Sequence, residues 1–185
     1  DPVAYRLQWL YRSPRDATVL RLAADRAGWG SGMPAEQGVR RGRGVAVHRS
    51  FGSHVAMVAE VAVEGEKLTV ERIVAAVDCG IVINPDNVRA QVEGAIGFAL
   101  SSVLRNAITL DEGRVVEGNF DSFEPTRFAE MPRVEVYFVE SSAPPTGMGE
   151  PGVPPLAPAI CNAIHNATGL RMRSLPIDLS RLRQA

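Results

Sequence analysis

From Gly44 to Gly80 the chain runs at a period of two. The segments "GVAVHRS", "HVAMVAEVAV" and "KLTVERIVAAVDCG" are dense in valine and alternate in polarity, as β-strands do. "EGEK" at Glu64–Lys67 supplies a short glycine-containing turn, so the second and third segments predict an antiparallel hairpin. A valine-rich hairpin is not stable alone in water, and the flanking sequence must cover it.

Helical patterns lie on both sides. "DPVAYRLQWLYR" opens with an Asp cap and Pro at the first helical position, followed by a helix over Val3 to Tyr11. A second helix is predicted over Asp16 to Ala27, where Val19, Leu20, Ala23, Ala24 and Ala27 recur at helical spacing. Gly28, Gly30, Gly32 and Pro34 break that pattern, and the stretch to Arg43 reads as a loop whose "RRGR" is solvated. After the strands, "NPDNVRAQVEGAIGFALSSVLRNAI" returns to helical spacing with Asn84 or Asp86 as cap. The glycines Gly94 and Gly97 and the small residues around them imply close approach to that helix, because each glycine costs about 1 kcal/mol of helix propensity.

Two short strands around "EGR" at 112–114 follow, then an irregular stretch and a strand in "RVEVYFVES". A last helix is predicted from about Val153 to Thr168, stopped by Gly169. "RMRSLPI" reads as a short strand or extended tail, and "DLSRLR" as a final helical turn. The class is α+β, helices packed on a mixed or antiparallel sheet in a single domain: a helical lead-in over 1–40 and an α+β core over 41–185. No GxGxxG opens a helix after a strand, which disfavours a doubly wound dinucleotide fold.

A formal charge of −1 and a pI near 6.4 imply no field for recruiting nucleic acid or an anionic membrane. No apolar run reaches the roughly 18–20 residues of a membrane span. Cys79 and Cys161 stand apart, which argues against a zinc site or a disulfide framework and predicts two small buried hydrophobes. The start at Asp1, inside a capped helix, predicts a piece of a longer polypeptide.

Few residues offer chemistry. His48, His54 and His165 have no partner at HxH or HxxxH spacing, no metal site is nominated, and GxSxG is absent. "GMGEPGVPPLAPAICNAI", from Gly147, differs: its glycines permit close backbone approach and its prolines stiffen the chain around one carboxylate, Glu150. That carboxylate suits a general base, and equally an exposed glutamate leading a helix. Gln91 is either solvent-facing or points an amide at a ligand held against the small-residue helix.

Three segments together, "VDCGIVINPDNVRAQVEGAIGFAL", "GNFDSFEPTRFAEMPRVEVYFVES" and "GMGEPGVPPLAPAICNAI", resemble the C-terminal region of the molybdenum-binding subunit of the xanthine dehydrogenase and aldehyde oxidase family. The resemblance spans roughly residues 42 to 178 and is nearest the isoquinoline 1-oxidoreductase β type, since "GVAVHRSFGSH" runs directly into "VAMVAEVAV" without the glycine-rich insertion of xanthine dehydrogenases. It implies a molybdopterin-binding domain, with molybdenum on a pterin, as a dinucleotide, in the intact enzyme. It implies hydroxylation of an N-heteroaromatic or aldehyde carbon with oxygen from water, the glutamate of the "GEP" segment acting as base. On this sequence the base is Glu150, Gln91 and Gly94 contact the cofactor, and Gly147, Met148 and Gly149 form the close-approach loop. The implied partners are the remaining domains of the large subunit, a [2Fe–2S] small subunit and a small-molecule substrate. The isolated chain is expected to bind no molybdenum and to be inactive. The alternative is a non-catalytic binding or assembly domain that keeps the fold without its own cofactor.

Overall fold

The computed structural model describes residues 1–184 of the 185. Its centre is a four-stranded sheet of β1 (Arg40–Ser50), β2 (Ser53–Glu64), β3 (Lys67–Asp78) and β6 (Arg133–Phe138), in that spatial order. The first three strands form an antiparallel meander, in which Glu64 pairs with Lys67 across the expected hairpin turn. β6 lies parallel to β3, Ile73 opposite Val134. A parallel neighbour requires a crossover, which α3 (Pro85–Leu104) supplies. The sheet is therefore mixed, one of the two arrangements the sequence class left open. β4 (Leu110–Asp111) and β5 (Arg114–Val115) form a separate small hairpin.

Helices cover both faces. On one, α1 (Pro2–Trp9) and α2 (Pro14–Ala27) set Val19, Leu20 and Ala23 against Val45, Ala56, Val58, Val74 and Ala76. On the other, Val92, Ile96 and Leu100 of α3 and Ile160 and Ile164 of α4 (Leu156–Thr168) meet Val55, Met57, Ile73, Ala75 and Val77. Burial on both sides explains why "HVAMVAEVAV" is nearly continuous in apolar residues: neither parity of side chain faces water. The 1–40 lead-in is thus a packing layer of the sheet. Its first helix is capped by the Asp1 carboxylate, which accepts the Val3 and Ala4 N–H groups at 2.9 and 2.8 Å. Asn84, rather than Asp86, caps α3, its Oδ1 accepting the Asp86 and Asn87 N–H groups.

Several local expectations change. "RRGR" is not a solvated loop but the opening of strand β1. Its Gly42 and the following Gly44 lie directly beneath α4, where a Cβ would overlap the Ala163 and Ala159 carbonyls. Arg43 there is nearly buried and pairs with Glu60 at 2.7 Å, while its Nη1 donates to the Gly28 and Ser31 carbonyls at 2.8 and 2.9 Å. Arginines of strand and loop thus look alike in composition and differ in what they hold. The last helix begins at Leu156, because Glu150–Pro155 form turns ahead of it. "RMRSLPI" is extended and joins no strand among the described residues.

Candidate functional site

The strand ends nearest the β1–β2 turn gather the chemistry. That turn is two residues long, Phe51 and Gly52, with φ of 52° and 78°. The sharp right-handed twist of a hairpin favours this left-handed backbone, and glycine adopts it freely whereas phenylalanine does so under strain. The segment 143–150 packs beside it. Ile81 N–H donates to the Ala143 carbonyl and Thr146 N–H to the Cys79 carbonyl, each at 2.9 Å, and Gly147 N–H donates to the Phe51 carbonyl at 3.3 Å. Beyond Glu150 a turn closes, Val153 N–H donating to the Glu150 carbonyl at 2.8 Å, and Gly152 rests on α3, where a Cβ would come within 2.9 Å of the Ala95 Cβ. This, rather than Gly94 or Gly97, is where the backbone closely meets the helix.

Between α3, the turn and this loop lies a cavity of about 560 Å³. Gln91 and Gly94 form its helix wall, Gly149 and Glu150 its loop wall, and Ser50, Phe51 and Phe98 its rim. Glu150 is the one charged residue among the described residues lining it. Its carboxylate is exposed rather than buried. A Cβ on Gly94 or on Gly149 would meet nothing within 4 Å, so both glycines leave open space beside the glutamate. Gly147 stands outside the cavity wall and makes room for Phe51, whose Cβ would lie 3.2 Å from a Cβ there. The Met148 side chain turns inward and packs in the core.

Sequence reasoning missed three residues here. Phe51 and Phe98 are 65% and 63% exposed at the rim. Ser50 has a buried hydroxyl oxygen with no hydrogen-bond partner among the described residues. Phe51 had a readable signal, because "SFGS" between two strands leaves an aromatic in the hairpin turn. Phe98 had none, since its apolar type fits a core-facing helix position equally well.

Behind the turn, α2 supplies polar anchors. Arg15 bonds both oxygens of Asp78, at 2.7 Å each, and these bonds hold the Asp78 carboxyl below the usual carboxylate range. His54 Nδ1 lies 2.6 Å from Asp16. His165 Nδ1 lies 2.9 Å from the Gly169 carbonyl, so neither histidine joins the cavity. Burial raises the thiol pKa of Cys79 and of Cys161, which are buried and half-buried. Among the described residues no group of three or more His, Cys, Asp or Glu could hold a metal ion, and no helix is long and apolar enough to cross a membrane. A larger, open cleft of about 970 Å³ between α1, β1 and the end of α4 contains none of the residues nominated from sequence.

Residues 22–132 match the family described as a molybdopterin cofactor-binding domain. The chain is 36% identical to a nicotinate dehydrogenase chain of Pseudomonas putida, with 100% of this chain and 17% of that protein covered. It is likewise 36% identical to the β chain of isoquinoline 1-oxidoreductase from Brevundimonas diminuta, over 96% of this chain and 23% of that protein. The chain therefore spans about a fifth of the length of these curated relatives. Among solved structures, quinoline 2-oxidoreductase from Pseudomonas putida 86 superposes with a TM-score of 0.64 over 71% of this chain and 18% of that one. At 22% identity that likeness is one of fold.

Proposed function

Because the chain belongs to the molybdopterin cofactor-binding family of xanthine dehydrogenase-type molybdenum subunits, we propose that it is the C-terminal, base-bearing part of a molybdenum hydroxylase large subunit. The substrate is an N-heteroaromatic or aldehyde carbon, and the oxygen it gains comes from water. One observation carries this: Gln91, Gly94, Gly149 and Glu150, nominated from separate sequence segments, line one cavity.

The cavity suits such a cofactor. Two glycines leave its wall without side chains, and the Ser50 hydroxyl waits beside it without a partner among the described residues. Gln91 and Ser50 would hold the pterin cofactor, a dinucleotide in this proposal, with the backbone of Gly94 and of Gly149 alongside, while Gly147 and Met148 support that loop from behind. When bound, that cofactor supplies the two-electron redox centre and the site at which water is activated. Glu150 contributes a carboxylate that accepts the proton released there; its open-sided position lets it pass that proton on to solvent. Phe51 and Phe98 narrow the mouth and present aromatic faces to a planar substrate. A carboxylate placed on a stiff loop within hydrogen-bond reach of the reacting group serves general base catalysis better than a freely rotating one.

The rest of the large subunit is the proposed partner, with a [2Fe–2S] subunit taking the electrons. An unusual surface supports the first. From Asn106 to Phe128, polar groups are used internally, Thr109 with the Glu117 carboxylate and the Asn106 side chain with the Glu124 backbone. Meanwhile Ile108, Leu110, Phe120 and Phe128 are 70%, 70%, 91% and 97% exposed. Exposed apolar area on this scale marks a surface that is covered in the assembled protein.

The test uses the full-length large subunit expressed with its partners. Isoquinoline and an aromatic aldehyde are offered in heavy-oxygen water with an artificial electron acceptor. The expected product carries the heavy oxygen; product oxygen drawn from dioxygen, or absence of turnover in a fully molybdenum-loaded complex, contradicts the assignment.

A further inference from the structure

We propose that Ser53 and Thr146 form a clamp, buried at its Ser53 end, that positions the Glu150 loop; this rests on the role given to Glu150 above. Ser53 is fully buried at the start of β2, and its Oγ lies 2.7 Å from the Gly147 carbonyl oxygen and 2.7 Å from Thr146 Oγ1. A carbonyl can only accept. The single Ser53 hydroxyl proton therefore goes to Gly147, and the Thr146 hydroxyl must donate to Ser53. The proton order runs one way, Thr146 to Ser53 to Gly147.

Both ends of this chain of hydrogen bonds are tied to the sheet. Thr146 N–H donates to the carbonyl of Cys79, just past the end of β3, at 2.9 Å, and Gly147 N–H donates to the Phe51 carbonyl of the β1–β2 turn at 3.3 Å. Gly147 is thus held through both its carbonyl and its N–H, immediately before the loop residues that reach the cavity. Met148 then anchors the chain in the core at 8% exposure, and Gly149 and Glu150 emerge beside the cavity. Water does not reach Ser53, so nothing takes the place of its hydroxyl when it is removed, and the Gly147 carbonyl loses the bond that ties it to β2. The residues joined lie 93 and 94 positions apart, so this is a tertiary constraint and not a local turn.

Ser53 and Thr146 are accordingly positioning residues, acting through the Gly147–Glu150 backbone. The test compares Ser53→Ala, Thr146→Val and Thr146→Ser in the cofactor-loaded full-length complex. Thr146→Val keeps shape and loses the donor; Thr146→Ser keeps the donor. Amide hydrogen exchange over residues 147–153 is read alongside kcat, KM and molybdenum content. In Ser53→Ala and Thr146→Val, exchange of that segment should rise about three- to tenfold, the range set by one lost hydrogen bond. The strands should exchange as before. Misplacing the base should lower kcat by up to about 100-fold with KM nearly unchanged, while Thr146→Ser restores both readouts. Unchanged exchange at 147–153 in Ser53→Ala and Thr146→Val overturns the clamp, whatever happens to kcat. A fully active Glu150→Gln enzyme with raised exchange in the clamp variants instead overturns the base, leaving the loop constraint standing.

Discussion

Gly94→Ala separates what the fold needs at this helix from what the cavity needs. Gly94 sits in the middle of the 20-residue helix α3. An alanine in a helix interior is favoured over glycine by about 0.8–1 kcal/mol. Steric cost subtracts nothing, because a Cβ at this position meets no heavy atom within 4 Å. The chain should therefore become more stable by about 1 kcal/mol, which raises the thermal midpoint of a domain this size by about 2–4 °C. In a urea titration the midpoint should rise by roughly 0.3–1 M at constant slope. The same methyl group enters the space between Gln91 and Glu150, so molybdenum content or turnover of the intact complex should fall. Gly97→Ala is the internal control. Its Cβ would lie 3.3 Å from Met131 Sδ, a flexible side chain outside the cavity lining, so it should gain less stability and leave cofactor loading intact. If Gly94→Ala destabilises the chain, the open-space argument is wrong. If it stabilises the chain and leaves loading and turnover unchanged, Gly94 is not kept for a ligand.

Two further substitutions probe the scaffold that aims the loop. Gly44→Ala should destabilise by about 3 kcal/mol or more, the upper range for overpacking, because the new methyl meets rigid α4 backbone rather than a side chain; chemical denaturation checks it, and a change below about 1 kcal/mol would mean that α4 yields freely. Arg15→Met should cost about 2–3 kcal/mol near neutral pH, less than for a fully buried pair, since the Asp78 side chain is 4% exposed but that of Arg15 is 35% exposed. The Asp78 pKa is lowered in the folded chain, so this contribution is present above about pH 4 and is lost as the pH falls below it. Stability curves of parent and variant should draw together as the pH falls below about 4; a constant difference across that range would rule out the Asp78 charge as the cause.

The strands, the hairpin turn, the cap at Asp1 and the glycine stops were legible because each is set by local chemistry or periodicity, while the cap of α3 was narrowed only to Asn84 or Asp86. Burial on both faces did not hide the strands, since β-branched valine marks them in either case. What the sequence obscured was pairing at a distance. "RRGR" offers the same charges whether solvated or, as for Arg43, packed against Glu60 and the carbonyls of Gly28 and Ser31. The close approach of Gly42 and Gly44 to α4 depends on a helix more than a hundred residues away in sequence. Glycine content alone therefore pointed to α3, while the tightest backbone contacts formed under α4. Of the nominated site residues, Gln91, Gly94, Gly149 and Glu150 converge on one cavity. Gly147 and Met148 hold the loop from behind it, a distinction that depends on which way each residue faces.

Replacing Glu150 by Gln in the full-length, partner-assembled protein is the most direct measurement. The amide preserves size and one acceptor oxygen but removes the carboxylate that takes up the proton. Turnover should fall by about 100-fold or more, the low end of what a general base contributes, with molybdenum content and KM close to those of the parent. A Glu150→Gln complex that hydroxylates its substrate at the parental rate with full molybdenum would show that the proton goes elsewhere.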